Sequence, residues 1–146
     1  MRRLEVCRVV AYFRYRASEL PKAVGVDFSD GRRRSDGRSG HICHGPYITL
    51  GPGRYTAGFY VRRTPDAEEG SVEIQVCVEH GRRMFANRSA PVKDLFVSIA
   101  GLVHVDFSLD AVERGCELRL HIPALTQIEV SEAVLFRRDI SGWAAR

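Results

Sequence analysis

The densest group of reactive side chains in the sequence is His41-Ile42-Cys43-His44. Imidazole and thiolate are common zinc ligands, and a thiol beside an imidazole is also the pairing of nucleophilic catalysis. Zinc asks for four ligands, or three and a water. The glycines and proline around this group punctuate a strand, and on a strand successive side chains take opposite faces. That alternation puts His41 and Cys43 on one side and His44 on the other. Only two of the three can converge, and further ligands would have to come from His80, His104, His121 or Cys77. No resident metal and no other cofactor is expected. A Cys–His nucleophile meets the same obstacle, because neighbouring strand residues point apart. The sequence also lacks a nucleophile elbow, HExxH or a phosphate loop. An enzyme built on this cluster is the weakest of the functional readings.

A second set of candidates is spread along the chain. Tyr60, Gln75, Cys77, His104, Asp106, Arg119 and His121 all have the non-core parity of alternating segments. If those strands are neighbours, the residues form one polar platform. It would carry a flat ring, planar hydrogen-bonding groups and charges, the mixture that sugar hydroxyls and C–H faces require. The alternative is an ordinary solvated sheet face. His41, His44, Asp36 and Arg38 are candidates for its rim. The loop oxygens of Asp27, Asp30 and Asp36 suit calcium in type, but the neighbouring arginines oppose a cation. Tyr47 and Tyr55 are expected to fix the fold. Trp143, the only tryptophan, is expected to cover a hydrophobic edge from the tail.

The elements that must position these groups are strands. RYTAGFYVR sets Tyr55, Ala57, Phe59 and Val61 on one face, and SVEIQVCVEH does the same with Val72, Ile74, Val76 and Val78. VHVDFSL and ELRLHI continue with Val103, Val105, Phe107 and Leu109, then Leu118, Leu120 and Ile122. Leu95, Val97 and Ile99 suggest another strand, and the segment from Ile128 to Phe136 supplies the last. Period-two alternation between turn signals at roughly 8–12-residue spacing argues for an antiparallel sandwich or barrel. No long segment holds a helical period. The polar loop from Asp27 to Gly40 is expected to be mobile or to face a ligand.

A chain of 146 residues is most simply one domain, here 1–146. With 45% apolar and 27% charged residues it is not a disordered chain. No apolar run is long enough to cross a bilayer. The N-terminal MRRLEVCRVVAYFRYR is interrupted by charge where a signal peptide would not be, so a cytoplasmic location is expected. Four dispersed cysteines suggest reduced thiols rather than disulfides or a zinc knuckle. The net charge of +4 comes from arginine pairs at turns, which suits solvated loops better than a nucleic-acid surface.

GRSGHICHGPYITLGPGRYTAGFYVR, followed by VHVDFSL and ELRLHI, resembles a jelly-roll module of bacterial cell-surface glycan and glycosyltransferase-associated proteins. The resemblance rests on a GPYxxLxxGxY core, met here by Gly45, Pro46, Tyr47, Leu50, Gly53 and Tyr55, and covers about residues 25 to 137. It implies an all-β, galactose-binding-like jelly-roll β-sandwich of about eight strands. It further implies non-catalytic binding of a bacterial surface glycan or a sugar-bearing intermediate. The competing reading is a structural or protein-interaction sandwich that pairs through its surface, for instance as a homo-oligomer.

Overall fold

Alternation of large apolar and polar residues builds two antiparallel sheets that bury their apolar sides against each other. The computed structural model describes the backbone of residues 8–139 and the side chains of residues 13–138; Cys7 and Trp143 lie outside the described residues. The strands are β1 (Arg8–Arg16), β2 (Val26–Asp27), β3 (Arg33–Arg34), β4 (Gly40–Leu50), β5 (Gly53–Arg63), β6 (Ser71–Val78), β7 (Arg83–Pro91), β8 (Gly101–Leu109), β9 (Glu113–Ile122) and β10 (Ile128–Asp139). One sheet runs β2-β3-β10-β5-β8, with β1 also pairing β10; the other runs β4-β9-β6-β7.

Without the two-residue β2 and β3, eight principal strands remain. The first sheet then holds the first, eighth, third and sixth of them, and the second holds the second, seventh, fourth and fifth. That interleaving is the eight-strand jelly roll expected from the sequence. The core-facing residues are also those expected: Phe59, Val61, Ile74, Leu120 and Ile122 are fully buried. Burying each such side chain contributes about 1.5–3 kcal/mol. Tyr55 stacks on Phe107 and donates its hydroxyl to the Gly51 carbonyl at 2.7 Å, which fixes the corner where the chain crosses between sheets. Among the described residues no helix is long and apolar enough to cross a membrane.

Two elements differ from expectation. Leu95, Val97 and Ile99 do not form a strand: a single 3-10 turn at Val92–Asp94 is followed by bends. Val92 and Leu95 point inward, while Phe96 and Ile99 are exposed, so Leu95 is the one buried member of the expected alternation. β1 had no counterpart among the expected elements, because arginines interrupt its apolar pattern. Phe13 and Tyr15 nevertheless pack on the core.

The loop from Asp27 to Gly40 is not held open for a ligand but fastened to the sandwich. Arg33 is buried and bonds the carbonyls of Leu20 (2.7 Å) and Ile42 (2.8 Å) and the Asp27 carboxylate (2.5 Å). Asp36 accepts from the Gly25 N–H and from the Arg38 guanidinium. Of the arginine run only Arg33 is withdrawn from solvent, while the partly exposed Arg32 and Arg34 reach across to Glu129.

Candidate functional site

The two sheets divide the expected platform. Tyr60, His104 and Asp106 lie on β5 and β8 of the first sheet, whereas Gln75, Arg119 and His121 lie on β6 and β9 of the second. The strands that carry them are not neighbours, so their outward faces look away from each other and the single platform does not exist. On the first sheet Asp106 is committed to Thr56 (2.6 Å) and Arg138 (3.3 Å). His104 borders a separate recess with Phe85 and Arg88. Asp36 and Arg38 pair with each other in the loop before β4 rather than edging a platform.

The second sheet does gather a cluster. Its pairings set His41 beside His121 and Glu73, and His44 beside Arg119 and Gln75; Pro46 follows beside Glu117 and Cys77. The His41 ring lies 5.3 Å from that of His121 and 6.5 Å from that of His44. Thus His41 and His44 share a face, contrary to strict alternation. The cause is a register shift between His41 and Cys43, where Ile42 is an extra residue without a partner on β9. One inserted residue reverses the parity of everything after it. Ile42 and Cys43 are both driven into the core, and His44 emerges beside His41.

Tyr47 completes the cluster, although the sequence assigned it to the fold. It has a φ of 66°, a left-handed conformation that a bulky side chain adopts only under constraint, and it is 43% exposed. Its ring lies 6.1 Å from His44 and 6.4 Å from His80. Glu79 and His80 also have positive φ, which is how the β6–β7 turn brings His80 over Tyr47. Gly81 follows, and a Cβ there would meet the Arg119 guanidinium at 2.6 Å.

A buried carboxylate organises these groups from below. Glu117 accepts from Arg119 at 3.1 Å, lies 4.0 Å from His44 Nδ1, and sits in register with Pro46 and Cys77 on the flanking strands. His44 Nδ1 and Tyr47 Oη are 2.8 Å apart. Burial raises the Tyr47 pKa, with Glu117 adding to it. Burial lowers His41 and His44, and the Arg119 charge reinforces the effect. His41 and His44 are therefore neutral at neutral pH, and beside them the face presents a phenol, an amide and one guanidinium held by Glu117.

This arrangement does not suit a thiol nucleophile. Burial pushes the Cys43 thiol up to about 12 and the Cys77 thiol up to about 11, the opposite of activation. Cys43 also faces the core rather than His41. Among the described residues no group of three or more His, Cys, Asp and Glu is placed to hold a metal ion. The sequence assigns Tyr47 to the fold, offers His80 only as a further metal ligand, and leaves Glu117 out of the site. Glu117 had the outward parity that could have marked it, whereas the bulge and the left-handed residues leave no such signal.

The fold and this face define a jelly-roll β-sandwich with one polar, ring-rich outer sheet. In sequence the chain matches no family model and no curated protein. In structure it is similar to the C-terminal CBM6 of LamC, a marine laminarinase from Zobellia galactanivorans, with a TM-score of 0.58 at 12% identity over 89% of this chain and 100% of that one. It is also similar to the xylan-binding module CBM15, with a TM-score of 0.57 at 10% identity over 89% of this chain and 95% of that one. Both neighbours are carbohydrate-binding modules with a β-sandwich fold, and at these identities the likeness is one of fold.

Proposed function

We propose that the chain is a non-catalytic carbohydrate-binding module whose contact surface is the outer face of the β4-β9-β6-β7 sheet. The observation that carries this reading is the convergence of His41, His44, Tyr47, Gln75, Arg119 and His121 on that one face, organised by buried Glu117. Rings there offer flat surfaces to sugar C–H patches, and the amide, imidazoles and guanidinium exchange hydrogen bonds with hydroxyls. The sequence resemblance supports a bacterial surface glycan or a sugar-bearing intermediate as ligand. The solved neighbours supply laminarin and xylan as first probes.

The test is calorimetric titration with laminarin, xylan and bacterial surface polysaccharide. Tyr47→Ala and Gln75→Ala are expected to weaken binding by about tenfold or more, the effect of losing well-placed contacts. Tyr60→Ala and Asp106→Ala, on the opposite sheet, are expected to leave it unchanged. Absence of binding at millimolar ligand, or full binding by both Tyr47→Ala and Gln75→Ala, overturns the reading.

One observation favours a second reading, a protein-interaction sandwich: Phe96 (61%) and Ile99 (63%) are exposed in the same segment. Pairing between copies through that segment predicts a mass that rises with concentration and falls back in Phe96→Ser. Sedimentation velocity decides it.

A further inference from the structure

The opposite sheet carries a second chemical feature. On its outer side Glu129 lies between β3 and β5, paired with Arg34 on one strand and Arg62 on the other. Its carboxylate is only 4% exposed and is approached by Arg32 (2.7 Å), Arg34 (2.7 Å) and Arg62 (3.0 Å). Burial opposes ionisation of this carboxyl, but the hydrogen bonds from Arg34 and Arg62 outweigh it and hold the group below its ordinary value. Glu129 is thus an anion, and so is Asp30, which also pairs with Arg32. Three guanidiniums against two carboxylates leave one positive charge in excess.

Two of the three guanidiniums edge a recess, and Arg34, half exposed, lies outside it. A recess of about 260 Å³ is lined by Arg32, Arg62, Glu129, Ser98, Ile99 and Ser131. Each guanidinium has five N–H donors. Among the described residues the Arg62 guanidinium gives one N–H to Glu129 and no other, and Arg32 gives one to Glu129 and one to Asp30. The Arg32 and Arg34 guanidiniums also lie over the Phe28 ring, at 5.4 Å and 5.0 Å, which limits their freedom to swing out to solvent. A structural ion pair needs one guanidinium per carboxylate. The surplus donors of Arg32 and Arg62 lie beside a recess that also holds two serine side chains.

We propose that the recess between Arg32 and Arg62 binds the carboxylate of an acidic sugar, such as a hexuronate. A planar carboxylate matches the paired N–H groups of a guanidinium, while Ser98 supplies a hydroxyl for the ring substituents and Ser131, which donates to the Tyr60 carbonyl, supplies an acceptor. Glu129 opposes the incoming charge, so affinity is modest and the site favours a ligand with one charge over one with two. The site is on the sheet opposite the proposed polysaccharide face and does not depend on it.

The experiment is NMR titration of the intact chain, following the arginine side-chain N–H and serine amide signals, with three probes: galacturonate, methyl galactoside and inorganic phosphate. Galacturonate is expected to shift Arg32, Arg62 and Ser131, and the neutral glycoside is not. Arg62→Gln is expected to weaken galacturonate binding by about tenfold or more. Glu129→Gln is expected to tighten it, because the competing charge is gone; a purely structural cluster would show no such gain. Circular dichroism of each variant confirms that it is folded. Absence of shifts with millimolar galacturonate, shifts that persist in Arg62→Gln, or binding of phosphate where galacturonate fails each overturns the proposal.

Discussion

His41 and His44 stand on the same face of β4, ring centroids 6.5 Å apart, although their separation of three residues should place them on opposite sides of a strand. The bulge at Ile42 makes the difference, and it brings two half-buried imidazoles under the influence of the Arg119 charge.

Stability should therefore fall on mild acidification. Both imidazoles are lowered from 6.5, first by burial. Between their lowered values and about 6.5, the unfolded chain binds protons that the folded chain does not. The contribution is complete above that window and is lost as pH falls through it. Denaturant midpoints measured from pH 7.5 down to pH 5 are expected to decline, and His41→Gln with His44→Gln is expected to flatten the slope. An unchanged slope in the double variant contradicts this.

Deleting the bulge tests the register directly. Removing Ile42 would leave His41, Cys43 and His44 in unbroken register with His121, Leu120 and Arg119, so both imidazoles would keep the outer face by plain alternation. The deletion is expected to keep the binding face and to lose about 2–5 kcal/mol with the buried Ile42 side chain, whereas Ile42→Val is expected to cost about 1 kcal/mol in urea denaturation.

Arg33 should be among the most sensitive positions in the chain. It is buried and bonded to two carbonyls and to Asp27, so Arg33→Leu strands acceptors that have no water to turn to. The expected loss is about 3 kcal/mol, near the low end for a broken buried pair because Asp27 stays partly hydrated. Urea denaturation measures it, and a loss below 1 kcal/mol, about what a neutral hydrogen bond contributes, would show that the loop holds without this residue.

Tyr47 should separate stability from binding. Glycine relieves the left-handed φ of 66°, a relief of about 1 kcal/mol that offsets the lost contacts with His44 and Glu117. Tyr47→Gly is expected to unfold within about 1 kcal/mol of the parent, yet to lose polysaccharide binding. Thermal denaturation beside calorimetric titration reads both.

The buried thiols should resist alkylation. Burial raises Cys43, Cys77 and Cys116 above the ordinary thiol value, so little thiolate exists at neutral pH. Iodoacetamide with peptide mass mapping is expected to leave these three unmodified until denaturant is added. Rapid native labelling of Cys77 would mean that Glu117 and Arg119 do not cover it.

Much of the fold was legible because alternation is a local signal. Tyr55, Ala57, Phe59 and Val61 face inward as their spacing says, and so do Leu118, Leu120 and Ile122. The site was legible only in part, since its assembly depends on which strands are neighbours and on where pairing slips. Gln75, Arg119 and His121 were rightly read as outward and came together because β6 pairs β9. Tyr60, His104 and Asp106 had the same parity but belong to the other sheet, and parity carries no information about that. Tyr47 was hidden for a different reason: its outward aim comes from a left-handed backbone that the residue type does not announce.

The back-to-back packing of the two sheets also limits what one molecule can hold. Sheets in a sandwich are about 10 Å apart, and their outer sides point in opposite directions. A rigid saccharide lying along His41, Tyr47 and Arg119 cannot bend round to reach Arg62. If both faces are occupied, two separate polymers are held by one protein, which makes it a cross-linker: its effect on a polysaccharide suspension is a change in viscosity rather than a gain in avidity for a single strand.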